Sequence, residues 1–332
     1  MTPGFDLDAY HEDPAGWATS LANVAEVMLP CLEAVDARSV AEVGAYAGDL
    51  TRLLCDWAAT RDEAVAVLAI DPSPQPALVA LAEERDGLEL VRRTSLEALP
   101  ELDLPDVVII DGDHNYWTVA EELRLIAERA PAAGLPLILL HDVAWPHARR
   151  DDYFDAEQIP PEYRQPVAGD AGGLLPTEPG LYEGGLPYRN SAEREGGPRN
   201  GVRTAVEDFV AARDGLRFAV VPAFFGLGVV WHEQAGWAGR IEQILAPWDD
   251  NSVVARLEAG RVHHLAAGHV LQNQLWEAGD RRARQEAVLR RMLESSAFGV
   301  AEKLSRLRVR LGIAKSQSVI SKEEIRRALD DD

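Results

Sequence analysis

Acid and imidazole side chains follow two predicted strands and could together bind a cation and move a proton. Asp111-Gly112-Asp113-His114 comes directly after the mostly apolar run 106–110, and His141-Asp142 directly after the run 135–140. Carboxylates and imidazoles are ligands of divalent cations, and either group can take a proton from a hydroxyl. Ligands of parallel sheets bind beyond the carboxyl ends of the strands. The two runs therefore predict one metal and proton-transfer site.

A glycine-rich turn lies earlier in the chain, in the pattern Glu42-x-Gly44-x-x-x-Gly48. Its glycines permit a tight turn and close approach of the backbone to a ligand, and the helix predicted after it offers free N–H groups. The next apolar run, 64–70, ends in Asp71. An acid at this strand tip is placed to bind the hydroxyls of a ribose. The turn lacks the G-x-G-x-x-G pattern of dinucleotide-binding proteins, which disfavours a nicotinamide dehydrogenase.

The order of predicted elements positions these residues at one edge of a sheet. Helical periodicity covers residues 16–34, 77–85, 116–129 and 202–213, and strands are predicted at 39–43, 64–70, 88–91, 106–110 and 135–140. Two further strands, 218–221 and 225–231, suit an antiparallel closing hairpin. This alternation predicts an α/β fold with a doubly wound, Rossmann-like, seven-stranded and mostly parallel sheet. Ser95 is predicted to cap a helix near the third strand.

The segment 143–200 lacks periodicity and is rich in glycine and proline. So long a loop in a compact domain is usually functional or disordered. Its aromatic and arginine side chains, Tyr163, Tyr182 and Tyr188 among them, favour an ordered lid or substrate loop over a linker. The predicted substrate contacts are Trp145, Arg149, Arg150, Tyr153, Arg199 and Asn200.

Composition limits the partners and the compartment. The net charge of −22 over 332 residues argues against nucleic acid as a partner, because phosphate contacts need a basic face. No run is long enough to span a membrane, and the first residues resemble no secretory leader. Cys31 and Cys55 lie in apolar helical patterns without metal spacing, which favours free thiols in a reducing cytoplasm. The helical region 233–332 is interpreted as a packing or association element, a cap over the substrate site, or a partner-binding arm.

Taken together, Glu42 to Gly48, Ile70-Asp71, the Asp111 to His114 tetrad and the closing hairpin resemble class I S-adenosylmethionine-dependent methyltransferases. The tetrad and His141-Asp142 are similar to those of metal-dependent natural-product sugar O-methyltransferases, such as the enzymes of the mycinamicin and novobiocin pathways. The resemblance implies a methyltransferase domain over 35–232, with 143–200 as a substrate or lid insertion. Residues 1–34 would then be an N-terminal helical segment and 233–332 a helical extension.

The resemblance also implies roles for single residues. Gly44, Ala45, Tyr46 and Gly48 would hold the methionine part of the cofactor, Asp71 the ribose, and Ser95 would lie near the adenine; Glu42 and Asp111 would also belong to the cofactor site. Asp111 and Asp142 would bind a divalent metal. The third acid of the family is replaced here by His141, which Mn²⁺ accepts more readily than Mg²⁺ does. Both Asp113 and His114 match bases known in the family, and the choice between them stays open.

The function implied is metal-assisted methyl transfer from S-adenosylmethionine to a hydroxyl of a small sugar-containing or natural-product acceptor. The cation would be Mg²⁺ or Mn²⁺. The alternatives are a phenol, carboxylate or amine acceptor, or a scaffold protein that binds the cofactor without transferring methyl. Copies of the chain could associate through the C-terminal helices. The sequence names neither the acceptor nor the position methylated.

Overall fold

The computed structural model describes residues 20–130, 134–170, 172–317 and 319–330. Its centre is a seven-stranded sheet in the order β3-β2-β1-β4-β5-β9-β8. Strands β1 to β5 are parallel, β9 is antiparallel to β5, and β8 is antiparallel to β9. The sheet strands are β1 (Ser39–Val43), β2 (Ala66–Ile70), β3 (Leu88–Val91), β4 (Val107–Ile110), β5 (Leu137–Leu140), β8 (Leu216–Val221) and β9 (Leu227–His232). The doubly wound, mostly parallel sheet predicted from the sequence is confirmed.

Helices cover both faces of this sheet. They are α1 (Ala25–Val35), α2 (Asp49–Ala59), α3 (Pro76–Glu84), α4 (Ser95–Ala98), α5 (Tyr116–Arg129), α6 (Val202–Ala211) and α7 (Ala238–Leu245). A short 3-10 helix, Leu21–Val24, precedes α1, so the predicted helix 16–34 is broken there; residues 16–19 lie outside the described part of the chain. Helices α1, α2 and α7 pack on one face, and α5 and α6 on the other.

The central strands are apolar on both sides because both sides are covered. Val107 and Ile109 of β4 join one core cluster, while Val108 and Ile110 join the other. All four are buried, and each such side chain contributes roughly 1.5–3 kcal/mol of transfer free energy. This explains why β4 and β5 read as continuous apolar runs rather than alternating ones.

The register of the parallel strands aligns the residues that follow them. Val43 pairs with Ile70 on one side and Ile110 on the other, and Ile110 pairs with Leu140. The ladder continues one residue further: the amides of Gly44, Asp111 and His141 donate hydrogen bonds to the last carbonyl oxygens of neighbouring strands. These acceptors belong to Ile70, Val43 and Ile110, respectively. As a result, Asp71, Gly44, Asp111 and His141 stand in one row across four neighbouring strands.

The insertion 143–200 is ordered over its described residues and contains a small two-stranded sheet, β6 (Gly173–Leu175) and β7 (Glu178–Tyr182). Sequence periodicity did not show these strands. The closing hairpin also differs from the prediction: β9 begins at Leu227 rather than at Phe225. Phe224 and Phe225 have positive φ values of 50° and 69° and form the turn before the strand.

The chain divides into two compact units, Met1–Ala266 and Ala267–Asp332. Helix α8 (Ser252–Glu294) passes from one into the other, and α9 (Ser296–Arg310) and α10 (Lys322–Asp330) belong to the second. In the second unit, Val300, Leu304 and Leu307 of α9, with Leu311 just after it, are exposed, whereas Glu302 and Ser305 are buried. Among the described residues, no helix has both the length and the apolar content needed to cross a membrane.

Candidate active site

Asp111, His141 and Asp142 form a cluster of potential metal ligands at the carboxyl ends of β4 and β5. One ligand atom from each lies within 4.8 Å of the others. His141 Nδ1 is 2.9 Å from Asp111 Oδ1 and 3.5 Å from Asp142 Oδ2. Asp142 has a φ of 59°, a left-handed conformation that few residues other than glycine, asparagine and aspartate adopt readily. The structure thus brings the three predicted metal ligands together.

The orientation of His141 is set by the turn before β9. Its Nε2 lies 2.8 Å from the Phe224 carbonyl oxygen, which can only accept a hydrogen bond. Nε2–H therefore donates to that carbonyl, and Nδ1 faces the two carboxylates. Burial alone would lower the pKa of His141, but the nearby Asp111 and Asp142 raise it to about 9. Either a proton or a divalent cation satisfies Nδ1 here, and a metal-binding histidine anchored by a carbonyl is a common arrangement. The donor set fits a divalent cation.

His114 lies beside the same two acids. Its Nε2 is 3.3 Å from Asp111 Oδ1 and 3.3 Å from Asp142 Oδ2, and its ring stacks on His147 with centroids 5.4 Å apart. Burial opposes the charged imidazole, yet Asp142 and Asp111 raise the pKa of His114 to about 10. Burial likewise would raise the pKa of Asp111, but the imidazoles of His141 and His114 lower it to about 2.

Asp113 is engaged in a different contact. Its Oδ1 accepts a hydrogen bond from the Phe154 amide at 2.9 Å, and its Oδ2 accepts one from Thr118 Oγ1 at 2.9 Å. Burial raises the pKa of Asp113. Both oxygens therefore tie the insertion to α5, whereas His114 keeps its ring at the cluster.

A cavity of about 610 Å³ lies on the side of the row toward β2. Five predicted cofactor residues line it: Gly44, Tyr46, Asp71, Ser95 and Asp111. The Asp71 carboxylate accepts hydrogen bonds from the amides of Tyr46 and Ser73, both at 2.7 Å. Gln75, Leu96, Trp117 and Phe154 complete much of the wall. The sequence did not single out these four, although Leu96 directly follows the predicted site residue Ser95 and Trp117 directly follows Tyr116, the start of a predicted helix.

The predicted role of Ser95 as a helix cap was wrong. Thr94 is the N-cap of α4, in a capping box with Glu97, and the spacing Thr94-x-x-Glu97 is the sequence signal for it. The hydroxyl of Ser95 instead donates to the buried carboxyl of Glu122. Burial raises the pKa of Glu122 to about 8.

The glycine turn has two different glycines. A Cβ on Gly44 would lie 2.2 Å from the carbonyl oxygen of Asp111, so only glycine fits between β1 and β4 there. Gly48 is the N-cap of α2 and lines neither cavity. A Cβ added to Gly48 would have Leu78 Cδ1 as its nearest atom, at 3.2 Å. Both have positive φ, which suits glycine.

A second cavity of about 310 Å³ lies on the cluster's other side and shares Gly44, Tyr46, Asp111 and His114 with the first. Strand β1 contributes Glu42, the turn after it contributes Ala45, helix α2 contributes Asp49 and Leu50, and the insertion contributes Pro146, His147, Asp152 and Tyr188. His141, Asp142 and Phe225 also line it. Glu42 is buried and accepts a hydrogen bond from Thr51 Oγ1 at 2.6 Å; burial raises its pKa to about 8.

None of the six substrate residues predicted from the sequence lines either cavity. Arg150 is buried and donates to the carbonyls of Ala192 and Pro179. Arg149 pairs with Glu207, and Arg199 lies over the Tyr163 ring. Tyr153 and Asn200 form hydrogen bonds within the insertion, and the Nε1 of Trp145 is buried without a hydrogen-bond partner.

Asp151 explains how the insertion takes a fixed shape. Its carboxylate accepts hydrogen bonds from the Gly201 amide at 2.6 Å, the Tyr116 amide at 2.8 Å and the Tyr153 hydroxyl at 2.8 Å. Asn200 Oδ1 in turn accepts from the Asp151 amide at 2.7 Å. These bonds join segments up to 50 residues apart and place the neighbouring Asp152 at the smaller cavity. Sequence reasoning missed Asp151, because its partners adjoin it only in the folded chain.

Residues 41–143 match a family model described as a methyltransferase domain. The matched segment contains the glycine turn, Asp71, the tetrad and His141-Asp142, so it spans the row of strand-end residues. This part of the chain is therefore similar to a methyltransferase domain. The larger of the two cavities is lined by residues of that matched segment and of the adjoining insertion.

Several solved structures resemble this chain at low identity. A Podospora anserina methyltransferase bound to S-adenosylhomocysteine is 16% identical, with 68% of this chain and 85% of that chain covered and a TM-score of 0.39. A Burkholderia thailandensis 1,6-didemethyltoxoflavin N1-methyltransferase is 14% identical, with coverage of 68% and 83% and a TM-score of 0.34. An O-methyltransferase family protein from the same organism is 15% identical, with coverage of 69% and 62% and a TM-score of 0.37. No curated protein sequence matches the chain. These likenesses are too remote to bear on the acceptor.

Proposed function

We propose that this chain is an S-adenosylmethionine-dependent methyltransferase that transfers a methyl group to a hydroxyl of a small sugar-containing or natural-product acceptor, with help from a divalent cation. The observation that carries the proposal is the position of the cluster of Asp111, His141 and Asp142. All three line the smaller cavity, and Asp111, like His114, also lines the larger cavity, which is proposed as the donor site. A methyl donor on one side and a hydroxyl on the other would meet at these residues.

The donor side uses the row of strand-end residues. Asp71 would accept hydrogen bonds from the ribose hydroxyls, since its carboxylate faces the larger cavity and is fixed by two backbone amides. Ser95, Leu96 and Trp117 would enclose the adenine. Gly44, Ala45 and Tyr46 would hold the methionine part, which reaches toward the smaller cavity; Gly48 acts on this turn from outside both cavities.

On the acceptor side, Asp111, His141 and Asp142 would hold Mg²⁺ or Mn²⁺. A cation bound there lowers the pKa of an acceptor hydroxyl and fixes its direction. Their donor set of two carboxylates and one imidazole favours Mn²⁺ over Mg²⁺. The Nε2–H bond to Phe224 keeps Nδ1 of His141 turned to that position.

His114 is proposed as the base that takes the hydroxyl proton. It lines both cavities, whereas Asp113 lines only the larger one and has both oxygens occupied by Phe154 and Thr118. The same carboxylates that keep His114 protonated are those assigned to the cation. Charge compensation by the cation would therefore free the imidazole to accept a proton. Asp113 becomes a positioning residue in this proposal.

Two alternatives remain, and the structure bears on one of them. Phenol and amine acceptors are compatible with the smaller cavity. A carboxylate acceptor is disfavoured, because five carboxylate residues and no lysine or arginine line that cavity. The scaffold alternative, cofactor binding without transfer, predicts no turnover with any acceptor.

A methyl-transfer assay tests the proposal. Purified protein would be supplied with S-adenosylmethionine and a panel of glycosylated and phenolic metabolites, with Mn²⁺, with Mg²⁺ or with EDTA. We expect turnover of at least one hydroxyl acceptor, its loss in EDTA, and at least a tenfold lower rate for His114→Ala. Asp103→Asn, an exposed acid that precedes β4 and lines neither cavity, serves as the control. Full activity in EDTA would contradict the role of the cation, and an unchanged rate for His114→Ala would contradict the role of the base.

Association through the C-terminal helices and a cytoplasmic location also belong to the proposal. The observation favouring association is the exposed apolar seam of Val300, Leu304, Leu307 and Leu311, whose spacing of four, three and four residues is typical of helix pairing. Sedimentation equilibrium would detect it. Buried free thiols at Cys31 and Cys55 favour a reducing compartment, and fractionation of cells that make the protein would test this.

A further inference from the structure

The smaller cavity contains one carboxylate for which the proposed function supplies no partner. Five acidic residues line the cavity: Glu42, Asp49, Asp111, Asp142 and Asp152. Asp111 and Asp142 are assigned to the cation, Glu42 is bonded to Thr51, and Asp49 is the first residue of α2, directly after the turn that would hold the methionine part of the donor. The remaining acid is Asp152, which comes from the insertion.

Asp152 keeps one oxygen for a ligand. Its Oδ1 accepts a hydrogen bond from Ser191 Oγ at 2.7 Å, and its Oδ2 has no hydrogen-bond partner among the described residues. No arginine or lysine of the described chain forms an ion pair with it either. Arg261 lies near this wall, over the Phe225 ring, but its guanidinium is paired with Glu258 at 2.7 Å. The cationic group that acts on Asp152 is the His114 imidazole, whose pKa Asp152 helps to raise, and in the proposed function this imidazole becomes neutral once the divalent cation is bound.

Two aromatic neighbours line the same cavity. His147 is only 4% exposed, and its Nδ1 is buried without a hydrogen-bond partner. Its ring meets that of Tyr188 edge-on, with centroids 5.3 Å apart. Burial lowers the pKa of His147 and raises that of Tyr188 to about 12, so both rings are neutral at neutral pH.

A carboxylate beside an aromatic ring is suited to an ammonium group. The carboxylate supplies the opposite charge, and the tyrosine ring supplies cation–π attraction. An anionic acceptor would instead be repelled by the carboxylate of Asp152. A volume of about 310 Å³, at the lower end for ligand pockets, limits the bound part to about one small ring.

We propose that the acceptor carries a protonated amine on the ring whose hydroxyl is methylated, and that Asp152 and Tyr188 bind this ammonium group, with His147 packed against the Tyr188 ring. The inference rests on the proposed function for the identity of the cavity as the acceptor site. It narrows the acceptor to an amino sugar, or to an aminated cyclic polyol of similar size. Uronic acids and phosphorylated sugars are excluded from the site.

Binding measurements test the subsite without requiring turnover. Isothermal titration calorimetry would compare methyl glucosaminide, its N-acetyl derivative, methyl glucoside and glucuronic acid, each with protein saturated by S-adenosylhomocysteine and Mn²⁺ at pH 7. We expect the amine to bind at least tenfold more tightly than the N-acetyl and deamino compounds, and glucuronic acid not to bind. Equal affinity for the amine and for methyl glucoside would overturn the proposal.

Three variants separate recognition from structure. Asp152→Asn keeps the geometry of the bond to Ser191 but removes the charge, so it should reduce affinity for the amine about tenfold and leave methyl glucoside unchanged. Tyr188→Phe should weaken the amine less, since the ring remains. Asp103→Asn controls for net charge. If Asp152→Asn weakens both sugars equally, Asp152 only shapes the cavity and the proposal fails.

Failure of the ammonium subsite and failure of the proposed function would give different results. Amine binding that depends on Asp152, without methyl transfer to any acceptor, would sustain the subsite and refute the activity. Methyl transfer to neutral sugars with no preference for amines would sustain the activity and refute the subsite. Affinity for S-adenosylhomocysteine, measured on each variant, confirms that the donor cavity is intact.

Discussion

Substituting alanine at the two glycines of the turn after β1 isolates the close approach between two strand ends. Gly44 and Gly48 have φ values of +83° and +87°, so alanine at either position acquires the same left-handed strain. That strain costs roughly 1–2 kcal/mol for a residue with a Cβ. The two positions differ in what the new methyl group meets, and this difference carries the prediction.

The contact at Gly44 is with rigid backbone. An added Cβ would lie 2.2 Å from the Asp111 carbonyl oxygen, and ordinary contact begins near 3.4 Å, so β1 and β4 must separate locally by about 1.2 Å. At Gly48 the nearest atom is Leu78 Cδ1 at 3.2 Å, the end of a side chain that needs to move only about 0.2 Å. Overpacking of the first kind costs roughly 1–3 kcal/mol more. A shift near 1 Å at catalytic groups can lower a rate about 100-fold.

Gly44→Ala should therefore lose about 1–3 kcal/mol more unfolding free energy than Gly48→Ala, and at least about 100-fold in methyl transfer. Urea unfolding measures the first quantity. Calorimetry with S-adenosylhomocysteine and Mn²⁺ shows whether both cavities are affected, as expected when Asp111 moves. Equal stabilities and equal affinities for the two variants would refute the claim that Gly44 sets the spacing between β1 and Asp111.

Three further perturbations test other parts of the molecule. Glu258 accepts a hydrogen bond from the Phe225 amide, and the carbonyl of the adjacent Phe224 anchors His141. Glu258→Gln should therefore weaken Mn²⁺ binding about tenfold in calorimetry. An unchanged affinity would show that the turn keeps its conformation without the Glu258 carboxylate. Burial raises the pKa of Glu122 from 4.5 to about 8, so between these pH values the folded state binds up to one proton more than the unfolded state. As the pH rises through this range, the unfolding free energy of the wild type should therefore fall relative to that of Glu122→Gln, by up to about 1.4 kcal/mol per pH unit. A difference in urea unfolding that does not vary over pH 5–8 would refute this. Association through the exposed seam of α9 should strengthen with added NaCl, because salt screens the repulsion between copies of Lys303, Arg308 and Arg310, which flank the seam. Leu304→Glu should abolish the association. An association constant from sedimentation equilibrium that falls with added salt would contradict this.

The strand-end residues were predictable because their positions follow from local patterns. A buried parallel strand reads as an apolar run, and the polar residue after it falls at the carboxyl edge whatever the rest of the chain does. Asp71, Asp111 and His141 were found in this way. The registers of neighbouring parallel strands then place them in one row, which the sequence implied only through the order of the elements.

The residues that the insertion contributes to the smaller cavity were not predictable by the same reasoning. His147, Asp152 and Tyr188 lie in a segment without periodicity, and their positions depend on bonds from Asp151 to residues 35 and 50 positions away. The arginines of the insertion drew attention because of their charge. Arg150 in fact uses that charge to hold backbone carbonyls inside the insertion. In such a loop, residue type alone does not distinguish ligand contacts from internal ones.

The row at the sheet edge links the register of one strand to the proposed chemistry. Asp71, Gly44, Asp111 and His141 occupy equivalent positions on β2, β1, β4 and β5, so three strand spacings, about 14 Å, separate the first from the last. In the proposed function the ribose lies at one end and the acceptor hydroxyl at the other. The missing side chain of Gly44 lets the Asp111 backbone approach β1 closely. A slip of β4 by one residue would bring Ile110 or Gly112 to the place of Asp111 and turn its apolar side chains to the opposite faces. Because the run 107–110 is apolar toward both faces, that slip is opposed at the start of the strand, where the Asp106 carboxylate accepts hydrogen bonds from the amides of Arg38 and Ser39. These bonds fix the register that holds Asp111 at the junction of the two cavities.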